Sequence, residues 1–189
     1  MNLSVVQTRD RTLVSKVRQI LDACRLPPDM LEFELTESLS MDDTRATMQL
    51  LDRLKEIGVR LSIDDFGTGY SSLQYLKKLP VDTLKIDRCF ISELGVDEDD
   101  SAIVSGTIAL AHSLRLSVVA EGVENTTQYE MVRAFGCDES QGFLHSRPLP
   151  LEQFNEWVQA QSVRQAVTVA ATSTHTSERR KLLIAESVV

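Results

Sequence analysis

The chain has 189 residues, 42% of them hydrophobic and 25% charged, with a formal net charge of −8. That length supports one globular domain with a sizeable core, while the acidic balance argues against sequence-independent nucleic-acid binding, which needs clustered Lys and Arg. No apolar run spans a bilayer, no secretory leader is visible, and the widely spaced Cys24, Cys89 and Cys137 read as reduced thiols of a cytoplasmic protein.

Apolar residues at 13, 14, 17, 20, 21 and 24 recur at helical spacing and predict a helix from Leu13 to Cys24. Leu31 to Thr36 alternates as a strand does. Leu50, Leu51, Leu54 and Ile57 mark a second helix, stopped by Gly58. Val59 to Ile63 is expected as a strand, Leu73 to Leu79 as a short helix ended by Pro80, and Thr83 to Ile86 as a strand. Ala102 to Leu114 then predicts a helix, Leu116 to Ala120 a strand, Thr127 to Phe135 a helix closed by Gly136, and Glu139 to Leu144 a short strand. Leu151, Phe154, Trp157 and Val158 share one side of a last helix. From about residue 163 the composition turns to Ala, Thr, Ser and Val. The expected division is a domain over 1–162 and a flexible tail over 163–189, with a helix near Lys181 to Glu186.

Strand–helix alternation implies a parallel sheet with crossover helices. A doubly wound sheet and a (β/α) barrel both satisfy it. The polar residues favour the barrel. Successive strands end in Glu34-Leu35-Thr36-Glu37, Asp64-Asp65, Lys85-Ile86-Asp87 and Glu121, and the next carries Gln141. In a barrel all the carboxyl ends of the strands share one face, where active sites are built. In a doubly wound sheet only strands at the switch point would contribute.

Carboxylates converging on one barrel mouth repel one another and raise each other's pKa values. A cation is the remedy, and oxygen-only ligation selects Mg²⁺ or Mn²⁺, with Ca²⁺ as an inert occupant. Adjacent acids such as Asp64-Asp65 suit two ions with one bridging carboxylate, an arrangement that serves phosphodiester cleavage. Lys85 lies two residues before Asp87 on the same strand face, where it would orient the attacking water or stabilise charge on a phosphate. Asp64 to Ser72 reads as a loop whose two glycines allow close backbone approach.

Five segments occur in order: ELTES (34–38), DDFGTGYSSL (64–73), LKIDR (84–88), AEGVE (120–124) and QGF…RPLP (141–150). Together they resemble the EAL family of cyclic di-GMP phosphodiesterases, from Asn2 to about Trp157. The resemblance implies a TIM-like barrel that hydrolyses cyclic di-GMP to linear pGpG with two Mg²⁺ or Mn²⁺ ions. It assigns Asn2, Glu34, Asp64, Asp65 and Glu121 to the metals, with Asp64 bridging. It places Lys85 near the catalytic water with Asp87 beside it, and gives Glu121 a catalytic share. Glu37 resembles the glutamate that anchors the DDFG loop, a region that also tends to form a homodimer interface. Gln141 and Pro148 fall on the guanine-binding side. Family members often sit behind PAS or GGDEF domains.

The sequence departs from the family in three ways. The Glu-Ala-Leu glutamate, a metal ligand, and the nearby phosphate-contacting arginine are not in this chain, and His145 stands where the family usually has an aromatic residue. A complete barrel needs eight strands and about 250 residues, whereas five strands and a stub at Asn2-Leu3-Ser4 are legible here. The chain is therefore expected to be an EAL barrel incomplete at its N-terminus, with unpaired strand edges and an apolar interior exposed. A wrongly placed start, a fragment and a degenerate relic all fit. Two functions stay open: a phosphodiesterase, weak or inactive as this chain alone, or a catalytically degenerate remnant that binds cyclic di-GMP or a protein partner. Glu37 and Asp87 also have purely structural readings, and His112 and His175 carry no motif.

Overall fold

The five expected strands and the stub at Asn2-Leu3 all form, and they join in a single sheet. The computed structural model describes residues 1–36, 45–68 and 73–160. Glu37, residues 69–72 of the glycine loop, the expected domain boundary and the tail lie outside the described residues. The strands are β1 (Asn2–Leu3), β2 (Glu32–Thr36), β3 (Arg60–Phe66), β4 (Thr83–Ile86), β5 (Ser117–Glu121) and β6 (Glu139–Gln141). They are all parallel and lie in chain order. The helices between them are α1 (Val5–Thr8), α2 (Leu13–Cys24), α3 (Arg45–Ile57), α4 (Leu73–Leu76), α5 (Arg88–Ser92), α6 (Glu98–Ser113) and α7 (Thr126–Ala134).

Strand order decides between the two α/β architectures. A doubly wound sheet reverses its order at a switch point. The order here never reverses, and right-handed crossovers then place every helix on the same side of the sheet. This is the winding of a TIM-type barrel, with six of its eight strands among the described residues. The chain divides into two compact units, Met1–His145 and Ser146–Val189. The first holds the whole sheet. In the second, residues 151–160 are helical, and the Phe154 and Trp157 rings stack 6.4 Å apart.

Alternation along each strand separates two surfaces. Phe33, Leu35, Leu61, Ile63, Leu84, Ile86, Val118 and Ala120 face the helices, where they pack with Val17, Leu21, Leu51, Leu54, Val104 and Ile108. Each such side chain contributes about 1.5–3 kcal/mol on full burial. The opposite face carries Glu32, Glu34, Arg60, Ser62, Asp64, Thr83, Lys85 and Glu121, with Val119 as the apolar exception. The expected apolar interior is thus largely polar. Its lower level is satisfied across strands: Arg60 pairs with Glu32 at 3.5 Å and donates to Thr83 Oγ1 at 3.1 Å.

Local chemistry explains where boundaries differ from expectation. α6 begins four residues before Ala102 because the Asp97 carboxylate caps the amides of Asp99 and Asp100, and Glu98, Asp99 and Asp100 suit the positive end of the helix dipole. The apolar pattern starts only after that turn. α5, absent from the pattern, is capped by Asp87, which accepts from the Cys89 amide at 2.9 Å. α1 rests on a reciprocal capping pair of Ser4 and Gln7. On α2, Val14, Val17 and Leu21 are buried, while Ile20 faces outward.

The amino ends of the strands are tied by one device used twice. Asp82, just before β4, accepts from Lys55 Nζ at 2.7 Å and from the Leu61 amide at 2.9 Å. Asp138, just before β6, accepts from the Val118 amide and meets His112 Nε2, both at 2.8 Å. In each case one aspartate joins the start of the preceding strand to the end of the helix that leads into that strand. Asp82→Ala leaves the amide of fully buried Leu61 without its acceptor, and should cost about 2–3 kcal/mol. Urea denaturation should show a lower midpoint at an unchanged slope.

Burial pushes the Asp138 carboxyl up, but the His112 and Val118 hydrogen bonds outweigh it and hold the group below its ordinary value of 3.8. A depressed folded-state pKa contributes stability that is complete above the unfolded value and is lost as pH falls through the folded one. Between about pH 5 and pH 3 the stability gap between the parent and Asp138→Asn should therefore narrow as pH falls. A gap that widened over that range would contradict this.

Candidate metal centre

Strands β2 to β5 each carry a charged residue at or within two positions of their carboxyl ends, and parallel pairing brings those ends together. Glu34 stands on β2, Asp64 and Asp65 on β3, Lys85 on β4 and Glu121 on β5. Lys85 is the hub. Its side chain is 8% exposed, and its ammonium pairs with Glu121 Oε1 at 2.6 Å, Glu34 Oε1 at 2.8 Å and Asp64 Oδ1 at 3.4 Å. Asp64, Asp65 and Glu121 each present a carboxylate oxygen, all within 4.8 Å of one another.

Asp65 reaches this cluster through a break in strand geometry. Strict alternation would turn neighbours Asp64 and Asp65 to opposite faces. β3 pairs with β4 through Ile63↔Leu84 and then Phe66↔Ile86, so Asp64 and Asp65 together oppose the single residue Lys85. This is a β-bulge, and Asp65 takes a left-handed φ of 55° within it, a conformation that aspartate tolerates better than most residues. The segment read as a loop from Asp64 onward is therefore strand as far as Phe66.

The electrostatics follow from this crowding. Burial pushes the Glu121 carboxyl up, Lys85 opposes the shift, and Asp64 and Glu34 add to it; the net result is a raised pKa. The hydrogen bond from Lys85 holds Glu34 low. Burial raises Asp65, and the neighbouring Asp64 and Asp87 charges raise it further. For Lys85, burial favours the neutral amine, but the pairs with Glu121 and Glu34 prevail and keep it protonated above the usual lysine range. Asp87 is also raised by burial, yet its hydrogen bonds from Cys89 bring it out low. Asp87 thus both caps α5 and lies beside Asp65.

Asn2 is exposed and pairs in register with Glu34. Gln141 is exposed and pairs with Glu121. It lines a cleft of about 220 Å³ with Arg88, Glu121, Gly122, Glu124 and Phe143. Pro148 belongs to the second unit and is exposed there. Arg88 and Glu124 form a 2.7 Å ion pair at this cleft, a contact invisible in sequence because the partners lie on different strand ends. The turn after Glu121 carries Gly122 at φ 72°, where a Cβ would collide with the Arg88 side chain. Ser62 is the other unanticipated residue. Its fully buried hydroxyl, on the face that carries Asp64, has no hydrogen-bond partner.

A polar, carboxylate-rich mouth on a parallel barrel defines a class of hard-metal hydrolase sites. The family model of the EAL domain matches residues 1–148. The chain is 52% identical over 152 residues to MucR of Pseudomonas aeruginosa, a bifunctional diguanylate cyclase/cyclic di-GMP phosphodiesterase, covering 80% of this chain and 22% of MucR. It is 48% identical over 149 residues to the cyclic di-GMP phosphodiesterase NbdA of the same organism, covering 79% and 19%. The MucR phosphodiesterase in complex with c-di-GMP superposes with a TM-score of 0.76 at 52% identity, over 81% of this chain and 62% of that one. The manganese/c-di-GMP complex of BlrP1 from Klebsiella pneumoniae does so with a TM-score of 0.74 at 32% identity, over 78% and 38%. This chain belongs to the EAL domain family. It spans about a fifth of the length of these curated relatives. Among the described residues no helix is long and apolar enough to cross a membrane.

Proposed function

We propose that the chain is the phosphodiesterase module of a longer cytoplasmic signalling protein with PAS or GGDEF domains, hydrolysing cyclic di-GMP to linear pGpG with two Mg²⁺ or Mn²⁺ ions, and only weakly as this chain alone. One observation carries this reading: three carboxylates from β3 and β5 within 4.8 Å of one another, beside a buried lysine. The donor set fits the metal, being made of hard oxygens from closely spaced acids. Asn2, Glu34, Asp64, Asp65 and Glu121 would hold the ions. Bound there, the ions would supply Lewis-acid stabilisation to a phosphodiester.

The remaining work falls to protein groups. Glu121, whose carboxyl is raised by burial, is suited to accept the proton of the attacking water at Oε1. Lys85 stays protonated at the edge of this cluster, so its ammonium would orient the water and oppose the charge that builds on the phosphate. Asp87 fixes Asp65 and the start of α5. The Gln141 amide offers donors and an acceptor to a guanine edge, and Pro148 offers apolar surface. Glu37 would anchor the segment that follows Phe66, and two copies of the chain would pair through that region.

Incubation with cyclic di-GMP and Mn²⁺ should yield pGpG by chromatography, and EDTA should stop it. A folded chain that binds Mn²⁺ but leaves cyclic di-GMP intact would overturn the reaction and favour a binding module. A chain that binds no metal would overturn the whole reading.

A further inference from the structure

A lysine ammonium has three N–H donors, and Lys85 directs them to carboxylates of three different strands: Glu34, Asp64 and Glu121, at 2.8, 3.4 and 2.6 Å. Two of these three also belong to the trio of mutually close carboxylates. Two of the carboxylates that face the ammonium are therefore among those a divalent ion would need. A carboxylate oxygen in tight contact with –NH₃⁺ cannot also close to the roughly 2.0–2.1 Å that Mg²⁺ demands without loosening that contact.

The ammonium is largely shielded from solvent. All four residues of β4 are buried, and the Lys85 side chain is 8% exposed. Glu34, Asp64, Asp65 and Glu121 bring four carboxylates to one strand-end layer, and Lys85 is the cation on those strands that meets them. A monovalent and a divalent cation sharing one set of anions also repel each other directly, strongly so where solvent screening is weak.

We propose that Lys85 is an internal counter-cation that competes with divalent metal for Glu34, Asp64 and Glu121, so that loading of the site and release of Lys85 from those carboxylates are one coupled event. The inference rests on the reading above that these carboxylates are the metal ligands. It adds that Lys85 lowers the metal affinity of the site it serves, and thereby sets the concentration at which the site fills. A lysine that merely braced the carboxylates would act oppositely: its removal would let them splay and would weaken metal binding.

Calorimetric titration of Mn²⁺ into the full chain separates the two. Lys85→Met and Lys85→Gln should bind Mn²⁺ about tenfold or more tightly than the parent, while Lys85→Arg, which keeps the charge, should bind no more tightly than the parent. The neutral variants should melt at lower temperature than the parent in EDTA and regain most of the difference in saturating Mn²⁺. A neutral variant that folds only with Mn²⁺ supports the proposal, since the ion then replaces the missing cation. One that fails to fold under both conditions overturns it. Equal or weaker Mn²⁺ affinity in folded neutral variants also overturns it while leaving the metal site standing. Absence of Mn²⁺ binding in the parent and all variants overturns both.

Discussion

Asp64→Asn should reduce Mn²⁺-dependent hydrolysis of cyclic di-GMP by about a thousandfold or more, the scale of losing several kcal/mol of transition-state stabilisation. The substitution keeps shape and hydrogen-bonding capacity, so the loss reports on charge. Asp64 occupies the centre of the site: it lies within 4.8 Å of both Asp65 and Glu121 and 3.4 Å from Lys85. Removing its charge weakens the donor set for any divalent ion and frees part of the Lys85 ammonium. The fold should persist, because the helix-facing neighbour Ile63 and the pairing Thr36↔Asp64 are unaffected. The measurement is kcat in saturating Mn²⁺, together with a melting curve in EDTA. Activity within tenfold of the parent would remove Asp64 from the mechanism.

Among the described glycines, Gly142→Ala should be the most damaging added methyl, at about 2–3 kcal/mol. At φ 158° a Cβ here would meet the backbone N and O of Val123. Those atoms are in use: the Val123 amide donates to Gln141 O, and the Leu144 amide donates to Val123 O, both at 3.0 Å. Val123 is fully buried, so the strain cannot be relieved by swinging a side chain aside. The displaced segment also carries Gln141, paired with Glu121, so Mn²⁺ affinity should fall as well. Gly106→Ala is the control. Gly106 lies inside α6 with open space at its Cβ, and alanine there should stabilise by about 0.5–1 kcal/mol. Equal urea midpoints for the two variants would refute the packing argument.

The elements legible in the sequence were those written by local periodicity. Leu13–Cys24 and Thr83–Ile86 form over the expected residues because apolar spacing and flanking stops agree there. The elements that periodicity missed, α1 and α5, are short, and their formation rests on caps: Ser4 with Gln7, and Asp87 with Cys89. The start of α6 was written in acids, Asp97 to Asp100, instead of in apolar residues. The expected apolar interior is largely polar because of the demand of the helices for the branched residues of the strands. Helix packing claims most of them, and the opposite face is left with Glu32, Arg60, Ser62 and Thr83.

The sequence by itself determined the family, the parallel α/β class and the acids that end the strands, because each is carried by residues within a few positions of one another. Only the tertiary structure decided how those acids meet. The β3 bulge turns Asp65 to the side of Asp64, Lys85 gathers Glu34, Asp64 and Glu121 from three strands, and Arg88 reaches Glu124 across the β4–β5 gap. These contacts depend on register and on a left-handed φ at one residue, and register is a relation between strands that no single stretch of sequence contains.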